Sequence, residues 1–229
     1  YMSADAQADF TFGTAQTDNW GLAKFGNDRP NTLGIDDRFA DLMESRGDSL
    51  RMRAFMYGEP GAWEYYGEPE MVWAQNDSEI PLISYAELKF IEAEALVRTN
   101  GSDDEASDAL KTALYESFAL AGVAADSAFI EEKGTLSGSM EEKIQTIVEE
   151  AYVSYYGYNF IQTWVNFRRT GYPNLTPSPN ASPGLDPSGV IPVRYLYPDS
   201  ETQSNGANAD AARASQGGGL LDAPMWAFQ

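Results

Sequence analysis

Apolar positions recur at alternating steps of three and four along several stretches of the chain, the spacing that places side chains on one helix face. The densest such stretch begins at 139. Ile144, Ile147, Val148, Ala151, Tyr152 and Tyr155 share a side, and Glu141, Glu142, Gln145, Glu149 and Glu150 occupy the other. Ser139 followed by Glu142 forms a capping box that marks the helix start. Gly157 weakens or bends this helix, and a second amphipathic segment follows with Phe160, Trp164 and Phe167 on one side. Arg168 and Arg169 suit the negative end of the helix dipole, Gly171 suits a left-handed cap, and Pro173 forbids continuation. This helical pair holds the densest block of large apolar groups, and the rest of the chain is expected to pack around it.

Two more capping boxes, Ser84 with Glu87 and Ser102 with Glu105, open two further helices. The first, over 84–99, carries two apolar stripes: Tyr85, Leu88, Ile91, Ala95 and Leu96, and Ala86, Phe90, Ala93 and Val97. Two stripes predict helices on both sides. The second helix presents Ala106, Ala109, Leu110, Ala113, Leu114 and Phe118 and ends at Gly122. The short connection makes the two antiparallel neighbours, a pair the size of one helical-hairpin repeat. Shorter helices are expected over 32–46, with Ile35, Phe39, Leu42 and Met43 on a face, over 127–133, and over 207–215. The segment 48–57 alternates Met52, Ala54 and Met56 with Arg51, Arg53 and Phe55, so a short strand is possible there.

Between these elements the pattern breaks. Residues 1–31 have no sustained period and read as loop, anchored by Phe10, Phe12, Trp20 and Phe25. Residues 174–189 are rich in Pro, Ser, Asn and Gly, and 190–201 read as extended because each Pro biases its predecessor away from helix. The stretch 58–73 (GEPGAWEYYGEPEMVW) concentrates aromatic rings in a backbone broken by Gly and Pro. Trp63, Tyr65, Tyr66 and Trp73 are too close together to share one helix face.

Composition narrows the chemistry. The net charge of −20 argues against a nucleic-acid partner, whose phosphates would be repelled. Cysteine and histidine are both absent, which excludes disulfides, thiolate or imidazole metal sites and Ser-His-Asp catalysis. No apolar run approaches a membrane span. The N-terminal YMSADAQADF is neither a signal peptide nor a lipid-attachment sequence, so either targeting has been removed or the chain is a piece of something longer.

Each candidate site has two readings. The rings Trp63, Tyr65, Tyr66 and Trp73 suit the apolar C–H face of a sugar, or they pin an irregular loop to the core. Arg168 and Arg169 could hold an anion, or they cap helix carbonyls and pair with carboxylates. Glu87 and Glu94 could form an acid/base pair, though helical carboxylates are usually solvated or structurally paired. Asp199, Glu201, Asn205 and Asn208 could cradle calcium, but they match no EF-hand spacing and turn hydrogen bonds explain them.

Three blocks, taken in order, resemble the C-terminal half of the SusD/RagB family of nutrient-binding outer-membrane lipoproteins: ISYAELKFIEAEAL at 83–96, WVNFRRTGYP at 164–173 and IPVRYLYPDSETQSNGAN at 191–208. The Arg-rich segment near Asp48 resembles the family's aspartate-arginine block. The resemblance implies a mainly α fold with a helical-repeat core, long irregular loops and a loop-rich C-terminal part. It implies a surface-exposed protein of the cell outer membrane that captures an oligosaccharide and hands it to a SusC-like TonB-dependent barrel, without catalysis, cofactor or metal. A peptide ligand, as in some members, is an alternative, and a carboxylate-based glycoside hydrolase is a further one. Family members are about twice as long, so the expectation is that 1–229 forms their C-terminal part, with the N-terminal helical half and the lipid-bearing cysteine outside this chain. Where the family places ligand contacts favours Trp63, Tyr65, Tyr66 and Trp73 as the binding residues.

Overall fold

A computed structural model describes residues 3–29, 34–56, 58, 71–177, 189–217 and 221–223. The chain divides into two compact units, Tyr1–Thr163 and Trp164–Gln229.

The first unit is built on a helical hairpin. Helix α4 (Tyr85–Arg98) and helix α5 (Asp103–Leu120) run back along each other. Their starts are chemically marked: the Ser84 hydroxyl accepts from the Glu87 N–H and the Ser102 hydroxyl from the Glu105 N–H. Both bury small residues, Ala86 and Ala93 on α4 and Ala106, Ala109 and Ala113 on α5, so the backbones approach closely and Phe90, Leu110 and Leu114 fill the remaining space. Helix α6 (Ser127–Gly134) packs on α5, with Phe118 and Phe129 edge to face at 5.9 Å. Helix α7 (Met140–Ser154) packs on α4, and there the full reciprocal capping box of Ser139 and Glu142 is formed. The expected apolar face of α7 is buried through Ile144, Ile147, Val148 and Ala151. The two stripes of α4 fare differently: Ala86, Phe90, Ala93 and Val97 are buried, whereas Ile91 is exposed.

The remainder of this unit corrects the expectations for its N-terminal third. Residues 1–31 are not all loop. Strand β1 (Ala8–Phe10) pairs antiparallel with β2 (Ile80–Ile83), in the register Phe10↔Ile80, and helix α1 (Gly21–Asp28) follows. Of the expected anchors, Phe12 and Trp20 meet at 5.3 Å with their rings tilted by 52° and pack against the core, while Phe10 and Phe25 are exposed. Helix α2 (Asp37–Ser45) is capped by Asp36. The segment read as a possible strand is helix α3 (Ser49–Phe55). Its buried positions, Arg51, Met52, Ala54 and Phe55, fit a helix face and cut across the alternation.

Arg51 explains that choice. It is fully buried at 0 % exposure. Its Nε donates to Asp48 Oδ2 at 2.9 Å and its Nη1 to the Ser117 hydroxyl of α5 at 2.9 Å. Glu150 of α7 lies 3.6 Å away, and the guanidinium sits over the rings of Phe118 and Phe129 at 4.7 and 5.5 Å. Arg46 pairs with the other oxygen of Glu150. Two cations and two carboxylates therefore neutralise one another inside the unit, and the helical turn at Asp48–Arg51 is what lets both reach the same point.

The second unit contains most of helix α8 (Phe160–Thr170), helix α9 (Asp199–Ser204) and helix α10 (Gly206–Ser215). Helix α8 ends as expected, with Gly171 at φ +80° and its N–H bonded to Phe167 O at 2.7 Å. Helix α9 replaces the end of the expected extended run, because the fixed φ of Pro198 suits the residue before a first helical turn. Asn205 donates to Glu201 at 2.6 Å and Asn208 to Asn205 at 2.6 Å. These side chains of the possible calcium cradle thus serve the junction of α9 and α10.

Candidate ligand-binding site

The site forms where α7 ends. Gly157 adopts φ +84°, a left-handed conformation that stops the helix after Tyr155 and Tyr156. Asn159 then starts α8, its side-chain oxygen accepting from the Gln162 N–H at 3.4 Å. The run Tyr155-Tyr156-Gly157-Tyr158 therefore points its rings in different directions. Tyr155 meets Phe90 edge to face at 5.9 Å. Tyr156 stacks on Phe39 at 4.6 Å with an interplanar angle of 9° and touches Phe55 at 4.9 Å. Tyr158 turns to Trp73 at 5.1 Å, with its hydroxyl 3.3 Å from that of Ser84. Burial pushes the Tyr158 phenol pKa well up.

A pocket of about 410 Å³ opens beside this corner, within the size range of small-ligand sites. Its walls come from α1 (Leu22), the approach to and first turn of α2 (Ile35, Phe39), the end of α7 (Tyr152, Tyr156) and the start of α8 (Phe160). Phe160 is 75 % exposed. That corrects the expectation that the ring packs inside an apolar α7–α8 block. The polar lining includes the Asp36 carboxylate and the hydroxyls of Tyr152 and Thr163. The Asp36 carboxylate accepts from the Arg38 backbone N–H at 2.9 Å and from Arg38 Nε at 2.6 Å. The guanidinium hydrogen bonds hold its pKa below the usual carboxylate range. The Tyr152 hydroxyl stays neutral, its pKa raised by burial and then by the charge of Asp36.

The aromatic stretch read from the sequence is tied to this pocket at both ends. The described residues that flank or close it, Phe55 and Met56 before it and Met71 and Trp73 at its end, are all buried. Phe55 touches Tyr156, and Trp73 lies against Gly157, where a Cβ would overlap the indole. Trp63, Tyr65 and Tyr66 lie outside the described residues. Trp73 is 2 % exposed and backs the pocket wall from behind, so its ring is not presented to solvent. The reason is local: the missing side chain of Gly157 leaves a flat patch that a large ring fills.

The other candidates resolve by geometry. Glu94 pairs with Arg98 at 2.6 Å, and Glu87 accepts from Asn159 Nδ2 at 3.3 Å, its pKa raised by burial. Both stand on one helix and do not face each other across a cleft, as paired glycosidase carboxylates do. Arg169 donates to Asn166 at 3.1 Å, and the Arg168 guanidinium lies over the Trp164 ring at 4.3 Å. Trp164, expected on the buried face, is half-buried; its indole N–H donates to Pro192 O at 2.6 Å and its ring meets exposed Tyr195 at 5.0 Å. Among the described residues no cluster of acidic side chains could hold a metal ion, and no helix is long and apolar enough to cross a membrane. Sequence reasoning missed Asp36, Phe39, Tyr156 and Phe160. The usable signal was YYGYNF at 155–160, an aromatic run broken by Gly like the one in 58–73.

The site is thus an aromatic-walled pocket in the helical-hairpin unit, with a single carboxylate among its described lining residues. The chain belongs to the SusD-like family, described as starch-binding and associating with the outer membrane, whose profile matches residues 46–198. No curated protein sequence matches. Solved structures share the fold. A chitin-binding protein aligns with a TM-score of 0.75 at 21% identity, covering 100% of this chain and 56% of its own. A SusD homologue from Bacteroides fragilis gives 0.74 at 21% identity, with 99% and 58% covered. A chitin-binding SusD homologue from Flavobacterium johnsoniae gives 0.54 at 20% identity, with 66% and 37% covered. The chain thus spans somewhat over half the length of the first two.

Proposed function

We propose that this protein captures an oligosaccharide at the surface of the outer membrane, without altering it chemically, and passes it to a SusC-like TonB-dependent barrel. The observation that carries the capture step is the aromatic-walled pocket beside Gly157. The exposed Phe160 ring suits the apolar C–H face of a pyranose, and a neutral ligand is indifferent to the net charge of −20. Membership of a family described as starch-binding supports the same reading, as does the fold shared with chitin-binding proteins. Trp63, Tyr65 and Tyr66 are the proposed further ring contacts, since their stretch begins and ends on residues that touch the pocket wall. The outer-membrane location and the barrel partner rest on family membership.

Calorimetry against maltose- and chitin-derived oligosaccharides tests capture, with chromatography of the same mixtures testing turnover. Binding without products is the expected result. Phe160→Ala or Trp63→Ala should weaken it by about 1–3 kcal/mol while the protein stays folded. Release of shorter sugars would establish a hydrolase. Binding of peptides in place of sugars would establish the peptide reading. Isolation from membranes in gentle detergent should bring down a large barrel protein, and its absence would remove the transfer step.

A further inference from the structure

The chemistry of the pocket is uneven, and the unevenness selects among sugars. Leu22, Ile35, Phe39 and Phe160 offer only carbon, and the Tyr156 ring is stacked flat on Phe39. A sugar bearing hydroxyls on every carbon would leave several of them facing these walls without partners, which is unfavourable. Among the polar groups, Asp36 is the one carboxylate of the described lining and its charge reaches the Tyr152 hydroxyl, while the Thr163 hydroxyl donates to Asn159 O at 3.2 Å. Arg38 already donates to both oxygens of Asp36, which fixes the carboxylate in place and leaves lone pairs for one more donor. Such a site fits a substituent that joins one N–H donor to one small apolar group.

We propose that the pocket recognises a 2-acetamido sugar, with the amide N–H donating to Asp36 and the acetyl methyl against Ile35 and Phe39. This rests on the reading of the protein as a glycan binder and adds which glycan it prefers. A carboxylate acceptor suits the amide N–H, and the apolar wall suits the methyl group that a plain hydroxyl lacks. The exposed ring of Phe160 is left for the sugar's C–H face. Discrimination then comes from hydrogen bonding at Asp36 together with methyl burial, and a sugar with hydroxyl at that position forfeits both.

Fully N-acetylated chitotetraose and cellotetraose share the same linkage and ring and differ only in acetamido against hydroxyl, so the pair isolates the substituent. Calorimetry on the 229-residue chain should give roughly tenfold or tighter binding of chitotetraose. Asp36→Asn keeps a good helix cap and so the fold, and should reduce that preference severalfold. Phe160→Ala, at an exposed position, should weaken both ligands alike. Equal binding of the two tetrasaccharides, or binding of maltotetraose alone, would overturn the acetamido preference and leave the glycan reading standing. If no sugar binds, both readings fall; if an apolar tetrapeptide competes for the pocket, the occupant is a peptide side chain. An unchanged preference in Asp36→Asn would remove Asp36 from recognition.

Discussion

Helices α7 and α8 are neighbours in the chain and look alike in sequence, yet they do opposite things. Both are amphipathic and both carry large apolar side chains. In α7 that face is covered: Ile144, Ile147, Val148 and Ala151 are buried against the hairpin, and even Glu150 is drawn inside by two arginines. In α8 only Asn166 is buried, while Phe160 stands in solvent at the lip of a pocket and Ile161 is exposed. Periodicity reports that a face is apolar and is silent about what lies opposite it. The difference teaches that an apolar helix face is either core or recognition surface, and that the break at Gly157 is where one becomes the other.

The largest expected effect tests the covered side. Arg51→Ala leaves Asp48 and Glu150 buried beside each other with one compensating cation fewer, and should cost about 3–5 kcal/mol in urea unfolding. A loss below 1 kcal/mol would mean water reaches the cluster and the buried description of α3 and α7 is wrong. The contrast itself is tested by a pair. Ile147→Ala should cost about 2–5 kcal/mol as a core truncation, whereas Phe160→Ala should stay within about 0.5 kcal/mol. Equal losses in the two variants would erase the distinction between the helices.

Gly157→Ala probes the boundary. The new methyl meets both a φ of +84° and the Trp73 ring, so a loss of about 1–3 kcal/mol is expected, with a changed indole fluorescence as Trp73 shifts. The smallest effect concerns Glu87. Burial raises its pKa in the folded protein, so the fold prefers the protonated form and stability declines as pH rises from the usual carboxylate range through that raised value. Glu87→Gln should therefore melt slightly higher than wild type at neutral pH, with the difference vanishing in acid. A difference that grows in acid would reverse the assignment.

How much was legible follows from the range of the interactions. The starts of α4, α5 and α7 are hydrogen bonds between residues three apart, so Ser84, Ser102 and Ser139 announce them in the sequence alone. The end of α8 is equally local, because Gly171 supplies the left-handed residue that closes it. The buried faces of α5 and α7 follow from spacing. The ordered motifs around Ile83, Trp164 and Ile191 were enough to indicate the family to which the chain belongs.

Other features depend on residues far apart in the chain. Alternation of Met and Arg at 51–56 suited a strand until Ser117 and Glu150 offered Arg51 a buried place that only a helical turn from Asp48 reaches. Trp73 had the composition of a ligand ring and became a support because Gly157, eighty-four residues later, leaves room for it. Phe160 had the composition of core and became a lip because no element covers it among the described residues. Caps, turns and faces are short-range free energies and are determined by the sequence itself. Which apolar face is covered, and which ring is left to meet a ligand, is decided only when distant segments compete for the same contacts, and that competition exists only in the tertiary structure.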